Sequence, residues 1–198
     1  PAINAIITVG SVYGLLLYIP SGTYYCYSSI YSTRGNISIF GDGALTTLKL
    51  PDNAGNVNCH FNFYSAAGLS NFVLKDFVLD GNMANGNTTF ANSGIMFPSV
   101  NNVKISGLLV KNYSNVGIYA NHYSAPTSAT TNFTIEDSEV LNIGAHGIIM
   151  PYVNGGLLDN VTVKSTGWHK ISINAAGEGI NRDWAKSCSN LRINKCKI

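Results

Sequence analysis

The chain has 198 residues, of which 45% are hydrophobic and only 11% are charged, and its formal net charge is +2. So small a charge, carried by scattered Lys and Arg residues, cannot neutralise a row of phosphates, which excludes a nucleic-acid-binding protein. Polarity comes mainly from Asn, Ser, Thr and Gly, a composition that suits an extracellular or virion protein. At this length we expect one domain over residues 1–198.

Residues 1–35 differ from the rest of the chain. Residues 1–9 are compatible with a short amphipathic helix, and residues 15–24 form an apolar alternation that a Pro-Ser-Gly turn interrupts. The apolar stretch over residues 3–20 contains two glycines and lacks a basic n-region, so it is neither a signal peptide nor a membrane span. We therefore expect no membrane insertion.

From residue 36 onward, an asparagine followed by an apolar-x-apolar alternation recurs about every 30 residues. The successive steps are 35, 31, 30, 28 and 30 residues. Asparagine tolerates the left-handed backbone of a bend, and its amide can hydrogen-bond to the same amide in the next repeat. The repeats begin at Asn36, Asn71, Asn102, Asn132, Asn160 and Asn190.

Each repeat holds two further alternations, the last of which is introduced by a Gly-Ile pair at Gly94, Gly117 and Gly147. Three short strands per repeat predict an all-β fold, a single-stranded right-handed parallel β-helix whose coils stack apolar side chains inside. The helix over residues 1–9 would cap its open end, with the cap over about residues 1–35 and the coils over residues 36–198. An antiparallel sandwich is the alternative, but Asn-Gly hairpin turns occur only at Asn85 and Asn154.

Two stretches carry a resemblance to a known family. Tyr-Ile-Pro-Ser-Gly-Thr-Tyr-Tyr over residues 18–25 and Ile-Ser-Ile-Phe-Gly-Asp-Gly-Ala-Leu-Thr-Thr-Leu-Lys-Leu over residues 37–50 resemble the opening of the pectate-lyase-like β-helix superfamily, which includes polygalacturonases and phage tailspikes. The acidic Gly-Asp-Gly segment that usually precedes the first helix is absent, and the last coil stops after residues 191–198. We therefore expect the chain to be a fragment of a longer one.

The resemblance implies that a saccharide binds in a groove along the face formed by the third strand of each coil. Residues just before that strand should stack in a column at a spacing of about 4.8 Å, and they are Ser93, Val116, His146 and His169. Gly-Ala-His-Gly-Ile around His146 resembles the Gly-His-Gly signature of polygalacturonases. The neighbouring coils lack the carboxylates that this hydrolytic chemistry requires, which disfavours a hydrolase of that type.

His146, His169 and Lys170 form the first candidate catalytic group. A polysaccharide lyase needs a base that removes the proton beside the uronate carboxylate, a role suited to His146, and a cation that stabilises the resulting charge, a role suited to Lys170. Trp168 and Tyr152 could stack on sugar rings. Tyr119 is expected to point outward from the same face and is a further candidate for substrate binding. Alternatively, both histidines only hydrogen-bond to loop backbone.

The second candidate group lies in residues 178–184, a segment dense in ionisable side chains. Glu178 and Asp183 could form the acid pair of a glycosidase, with Arg182 binding substrate. The alternative is a surface ion pair between Arg182 and either carboxylate. The remaining carboxylates at predicted bends are interpreted as surface charge. These are Asp76, Asp80, Glu136, Asp137 and Glu139.

No cofactor and no metal site are predicted. The four cysteines lack a metal-ligand spacing, so most are expected to be buried thiols, with Cys188 and Cys196 as a candidate disulfide. The leading hypothesis is an enzyme that binds and cleaves an extracellular polysaccharide, either a lyase or a glycoside hydrolase, as in a phage tailspike depolymerase. The alternative is a non-catalytic structural or adhesive shaft. Outward apolar residues such as Met96 and Ile149 would suit a homotrimer.

Overall fold

The computed structural model describes residues 14–54, 59–63, 69–87, 92–97, 99–120, 129–167, 171–172 and 189–198. Within these ranges the chain forms nineteen short β-strands in three parallel sheets, together with two single-turn 3-10 segments, Gly43–Leu45 and Met83–Asn85. The predicted capping helix over residues 1–9 lies outside the described residues. The predicted all-β, three-strand coil is confirmed.

Successive strands belong to different sheets, so that each sheet takes one strand from every coil. The first sheet contains β1 (Leu15–Tyr18), β4 (Ile37–Phe40), β7 (Leu69–Lys75), β10 (Val100–Ser106), β13 (Thr130–Glu136), β16 (Val153–Asp159) and β19 (Ser189–Asn194). The second contains β2 (Gly22–Tyr25), β5 (Thr46–Lys49), β8 (Val78–Asp80), β11 (Leu109–Tyr113), β14 (Glu139–Ile143) and β17 (Thr162–Thr166). The third contains β3 (Ile30–Tyr31), β6 (Cys59–Asn62), β9 (Ser93–Met96), β12 (Val116–Tyr119), β15 (His146–Ile149) and β18 (Ile171–Ser172).

The interior is a stack of apolar side chains that run parallel to the axis of the coil. In the first sheet, strand register places Ile37, Phe72, Val103 and Phe133 above one another, all at most 2% exposed. Phenylalanines from the bends join this stack, and Phe97 lies with its ring centroid 5.0 Å from that of Phe63 and 5.7 Å from that of Phe133. These stacked and edge-to-face contacts add to the hydrophobic free energy of the core.

An asparagine ladder follows the outside of the first sheet, as the repeat predicts. Asn71 donates from Nδ2 to Oδ1 of Asn36 at 2.7 Å, Asn102 to Asn71 at 3.1 Å and Asn132 to Asn102 at 2.9 Å. All four residues have φ between 51° and 64°, in the left-handed region that asparagine tolerates better than most residues. The ladder therefore fixes both the bend and the coil-to-coil register.

The predicted repeat at Asn160 is wrong in its placement. Register pairs Phe133 with Gly156, so Gly155, at φ 75°, takes the ladder position of that coil. Asn160 instead follows β16 and donates to Oδ1 of Asp137 at 2.7 Å. The segment after Asn160 is β17 of the second sheet. Asn160 also has a left-handed φ of 52° before an apolar alternation, which is why the sequence pattern matches there.

Two of the carboxylates interpreted as surface charge take part in similar ladders. Asp80 Oδ1 accepts from the backbone N–H of Asn82 at 2.8 Å and from Asn112 Nδ2 at 2.9 Å, and Asn142 continues this second ladder to Asn112 at 2.7 Å. Asp137 accepts from Asn160, as described above. The interpretation as plain surface charge is therefore wrong for Asp80, whose side chain is only 13% exposed.

The described cysteines are free thiols. Cys26 and Cys59 are buried, as predicted, and burial raises the pKa of the Cys26 thiol to about 11 and that of Cys59 further still. Cys196 is a half-buried thiol that donates to the carbonyl of Asn194 at 3.2 Å, and Cys188, its expected disulfide partner, lies outside the described residues.

Candidate functional site

The outer face of the third sheet carries the candidate site. Register places Val116 of β12 beside His146 of β15, and the pairing of Ile118 with Ile95 places Val116 beside Ser93 of β9. The predicted column is therefore confirmed for Ser93, Val116 and His146. A second outer column contains Tyr31, Asn62, Met96, Tyr119 and Ile149. The two columns are three residues apart along each strand, or about 10 Å.

His146 begins β15 and is 7% exposed. Its backbone N–H and that of Ala145 both donate to the carbonyl of Asn115, at 3.1 and 3.0 Å, which ties the start of the strand to the coil below. The strands of the third sheet contain no Asp or Glu. The imidazole therefore lies on a face whose own strands supply no carboxylate partner.

Apolar side chains cover the outer face next to His146. Val116, Tyr119 and Ile149 are 2–4% exposed and form a cluster with the half-buried Met96, separate from the interior of the coil. Exposure falls along the second outer column, from 51% at Tyr31 to 4% at Tyr119 and Ile149. The expectation that Ile149 is available to a neighbouring subunit is therefore wrong, because this chain itself buries it.

Two predicted sugar-binding tyrosines lie on or beside this face. Tyr119 ends β12 and is the register partner of Ile149. Tyr152 follows β15 and is half-buried, and its backbone carbonyl oxygen accepts from the backbone N–H of Thr130 at 3.1 Å. Its φ of 53° is unusual for a bulky side chain, and such strained backbone is concentrated at functional sites in proteins.

The other predicted site residues lie outside the described residues. They are His169, Lys170, Glu178, Asp183, Trp168 and Arg182. Of the described site residues, His146 and Tyr119 lie on neighbouring strands of the third sheet, about 10 Å apart along the strand direction. Tyr152 follows the end of the strand that His146 begins. The proposed roles of all nine residues stay predictions.

A further histidine, His60, was not among the predicted site residues. It takes the position that Gly94, Gly117 and Gly147 take in later coils, where a Cβ at Gly94 would meet Val110 and the ring of Tyr113. The position therefore faces the interior. Tyr113 and His60 form a buried hydrogen bond of 2.6 Å between the phenol oxygen and Nδ1.

Burial governs the protonation of this interior pair. Desolvation lowers the pKa of His60 to about 3, although Asp80 opposes the shift, and desolvation likewise raises the pKa of Tyr113 well above its usual value. Both side chains are fully buried and cannot reach a polymeric substrate. A histidine in a column of glycines is the signal that could have revealed the pair.

Within the ranges that the structure describes, no group of three or more His, Cys, Asp or Glu side chains is arranged to hold a metal ion. Nor is any helix in those ranges both apolar enough and long enough to cross a membrane.

The fold is similar to that of two solved polysaccharide-modifying modules. The A-module of mannuronan C-5 epimerase AlgE4 from Azotobacter vinelandii superimposes with a TM-score of 0.68 at 21% identity, over 98% of this chain and 53% of that module. The A-module of mannuronan C-5 epimerase AlgE6 from the same organism gives a TM-score of 0.67 at 20% identity, over 98% of this chain and 58% of that module. The chain thus spans little more than half the length of either module. No family model and no curated protein matches the sequence.

Proposed function

We propose that this chain is part of a polysaccharide-acting β-helix and that the substrate binds over the third sheet beside His146. The observation that carries the proposal is the position of His146 on the outer face, one coil above Val116, with Tyr119 and Tyr152 near the far end of the same strands. The likeness of the fold to two modules named for action on mannuronan, a polysaccharide, supports this substrate class.

The chemistry that His146 suits is proton abstraction next to a uronate carboxylate. The C–H electron pair moves into the carboxylate, which becomes an enolate, and the imidazole takes the proton. A cation such as Lys170 would stabilise that charge. Expulsion of the glycosidic oxygen on the adjacent carbon, which leaves with a proton from a general acid, gives a lyase product with an unsaturated ring. Donation of a proton to the opposite face by a second acid gives the C-5 epimer instead. In the glycosidase alternative, Glu178 and Asp183 act instead on the glycosidic bond.

Product analysis separates these reactions. We would incubate the protein with mannuronan, polygalacturonate and capsular polysaccharides, and measure ultraviolet absorbance for unsaturated uronates, reducing ends for cleavage and proton NMR for inversion at C-5. His146→Gln should reduce the rate by about 100-fold or more, since general base catalysis contributes that much. Lys164→Gln, an exposed change on the second sheet, is the matched control. Full activity of His146→Gln would refute the assignment of the base.

A non-catalytic shaft is the second candidate. Two observations support it. Tyr119 and Ile149 on the outer face of the third sheet are each only 4% exposed, which leaves little of them for a substrate to contact, and the strands of that sheet carry no carboxylate. A shaft predicts no product from any polysaccharide in the assay above. The extracellular or virion location and the homotrimer stay predictions as well, and light scattering of the purified chain tests the latter.

A further inference from the structure

An exposed aromatic pair lies on a different face, at the N-terminal end of the first sheet. Tyr18 of β1 and Phe40 of β4 are register partners, with ring centroids 5.2 Å apart and ring planes inclined by 31°. Tyr18 is 48% exposed, and Phe40 is half-buried. Leu16, on the same outer face, is 74% exposed. The pair therefore presents a small apolar platform to solvent.

A carboxylate is held at the edge of this platform. The Tyr18 hydroxyl lies 2.9 Å from Oδ1 and 2.8 Å from Oδ2 of Asp42 and donates to that carboxylate. Ser21 donates to Oδ2 twice, from its backbone N–H at 2.8 Å and from its hydroxyl at 2.7 Å. An ionised carboxylate offers about four lone-pair positions, and these bonds use three hydrogens. Asp42 can therefore accept one further hydrogen bond, at Oδ1.

The same contacts keep both groups in the forms that bind hydroxyls. Hydrogen bonds from Ser21 and Tyr18 hold the pKa of Asp42 below its usual value, and the bond to Asp42 raises the pKa of Tyr18. At neutral pH the carboxylate is therefore ionised and the phenol is protonated. The backbone of Asp42 is held as well, because its N–H donates to the Thr46 hydroxyl at 2.9 Å.

We propose that Tyr18, Phe40 and Asp42 form a sugar-binding subsite that is separate from the face that carries His146. A pyranose ring has an apolar face of C–H groups, which packs on an aromatic ring, and an edge of hydroxyls, which donate to a fixed acceptor. The platform offers both features side by side. Because Asp42 is already held by Tyr18 and Ser21, binding costs little ordering of its side chain.

The outward residues of the first sheet that are in register with Tyr18 and Phe40 extend the subsite along the axis of the coil. Lys75 of β7 is the register partner of Phe40, about 4.8 Å further on, and its side chain is 54% exposed. Its ammonium, 3.5 Å from Asp76, can donate to the next sugar unit. A linear polysaccharide can thus follow the row Tyr18, Phe40, Lys75. A second protein is a poorer fit, because stable protein interfaces need roughly 800 Å² from each partner.

Affinity gel electrophoresis tests the subsite without requiring turnover. The protein would be run through native gels containing mannuronan, polygalacturonate or hydroxyethyl cellulose, with Tyr18→Leu and Asp42→Asn as variants. Tyr18→Leu keeps an apolar side chain against Phe40, and circular dichroism confirms that each variant is folded. Tyr27→Ala is the matched control, because Tyr27 is 71% exposed but lies outside the strands of the first sheet.

We expect at least one of these polysaccharides to retard the wild-type protein, and both variants to bind about tenfold more weakly, while Tyr27→Ala is unchanged. Three results would overturn the subsite: no retardation of the wild type, equal retardation of Tyr18→Leu, or an equal loss in Tyr27→Ala. The ligand class rests on the proposed function. Tyr18-dependent retardation without any product in the turnover assay would support the subsite and reject the enzyme, so the two failures are distinguishable.

Discussion

Neutral His60 inside the coil predicts a specific dependence of stability on pH. The folded protein keeps this imidazole unprotonated down to about pH 3, whereas the unfolded chain protonates it below pH 6.5. Below pH 6.5 the unfolded state therefore binds one more proton than the folded state, and the free energy of unfolding falls by about 1.4 kcal/mol per pH unit. Between pH 6.5 and pH 4.5 the loss is about 3 kcal/mol, and down to pH 3 it is roughly 5 kcal/mol.

Substitution of this one histidine isolates its contribution. His60→Phe has a similar volume but does not titrate, and it leaves the Tyr113 hydroxyl without its partner, which costs about 1–3 kcal/mol at every pH. The other three histidines and all carboxylates are common to both proteins, so their effects cancel in the difference.

Urea unfolding at pH 7, 6, 5 and 4.5 measures this difference. The variant should be less stable than the wild type at pH 7, and the gap should close or reverse as the pH falls. Parallel curves for the two proteins would refute a buried, neutral His60. Tyr113→Phe offers a further check, because it removes the same hydrogen bond and retains the titrating group, so its stability should still fall with the slope of the wild type.

The remaining predictions concern the ladder and the core. Asn102→Ala should lower the free energy of unfolding by about 1–3 kcal/mol, because it removes two side-chain amide hydrogen bonds and places Ala in the left-handed region. Asn102→Gly should lower it by less, and chemical denaturation measures both values. Phe97→Ala should cost about 3–5 kcal/mol through the cavity it leaves, whereas Met96→Ala, outside the coil interior, should cost less in the same assay. Gly94→Ala should lower the melting temperature, because its Cβ would collide with the Gly117 carbonyl oxygen, and an unchanged value would contradict the inward position.

The two faces proposed to bind sugar differ in how they are built. The face beside His146 is covered, with Tyr119 at 4% exposure, whereas Tyr18 stands 48% exposed over an ordered carboxylate. Binding at Tyr18 and Asp42 would hold a polymer on the first sheet, whereas His146 belongs to the third sheet. Measurements of binding and turnover on the same variants therefore report on two separate surfaces.

The sequence by itself determined the coil, because period-two apolar alternation and left-handed asparagines are local properties that repeat. It could not determine which asparagine begins a coil. Asn112, Asn142 and Asn160 also have left-handed φ values but lie outside the first ladder, and in one coil the position of that ladder is taken by Gly155 instead of an asparagine. Only pairing between strands distant in the chain decides that register.

The surroundings of individual side chains were likewise decided by the tertiary structure. A column of glycines leaves interior space that His60 and Tyr113 fill together, although 53 residues separate them in the sequence. Burial depends on what packs against a face, which strand periodicity alone does not specify. Alternation predicts that Tyr119, Ile149 and Tyr18 all point outward, yet only Tyr18 remains exposed.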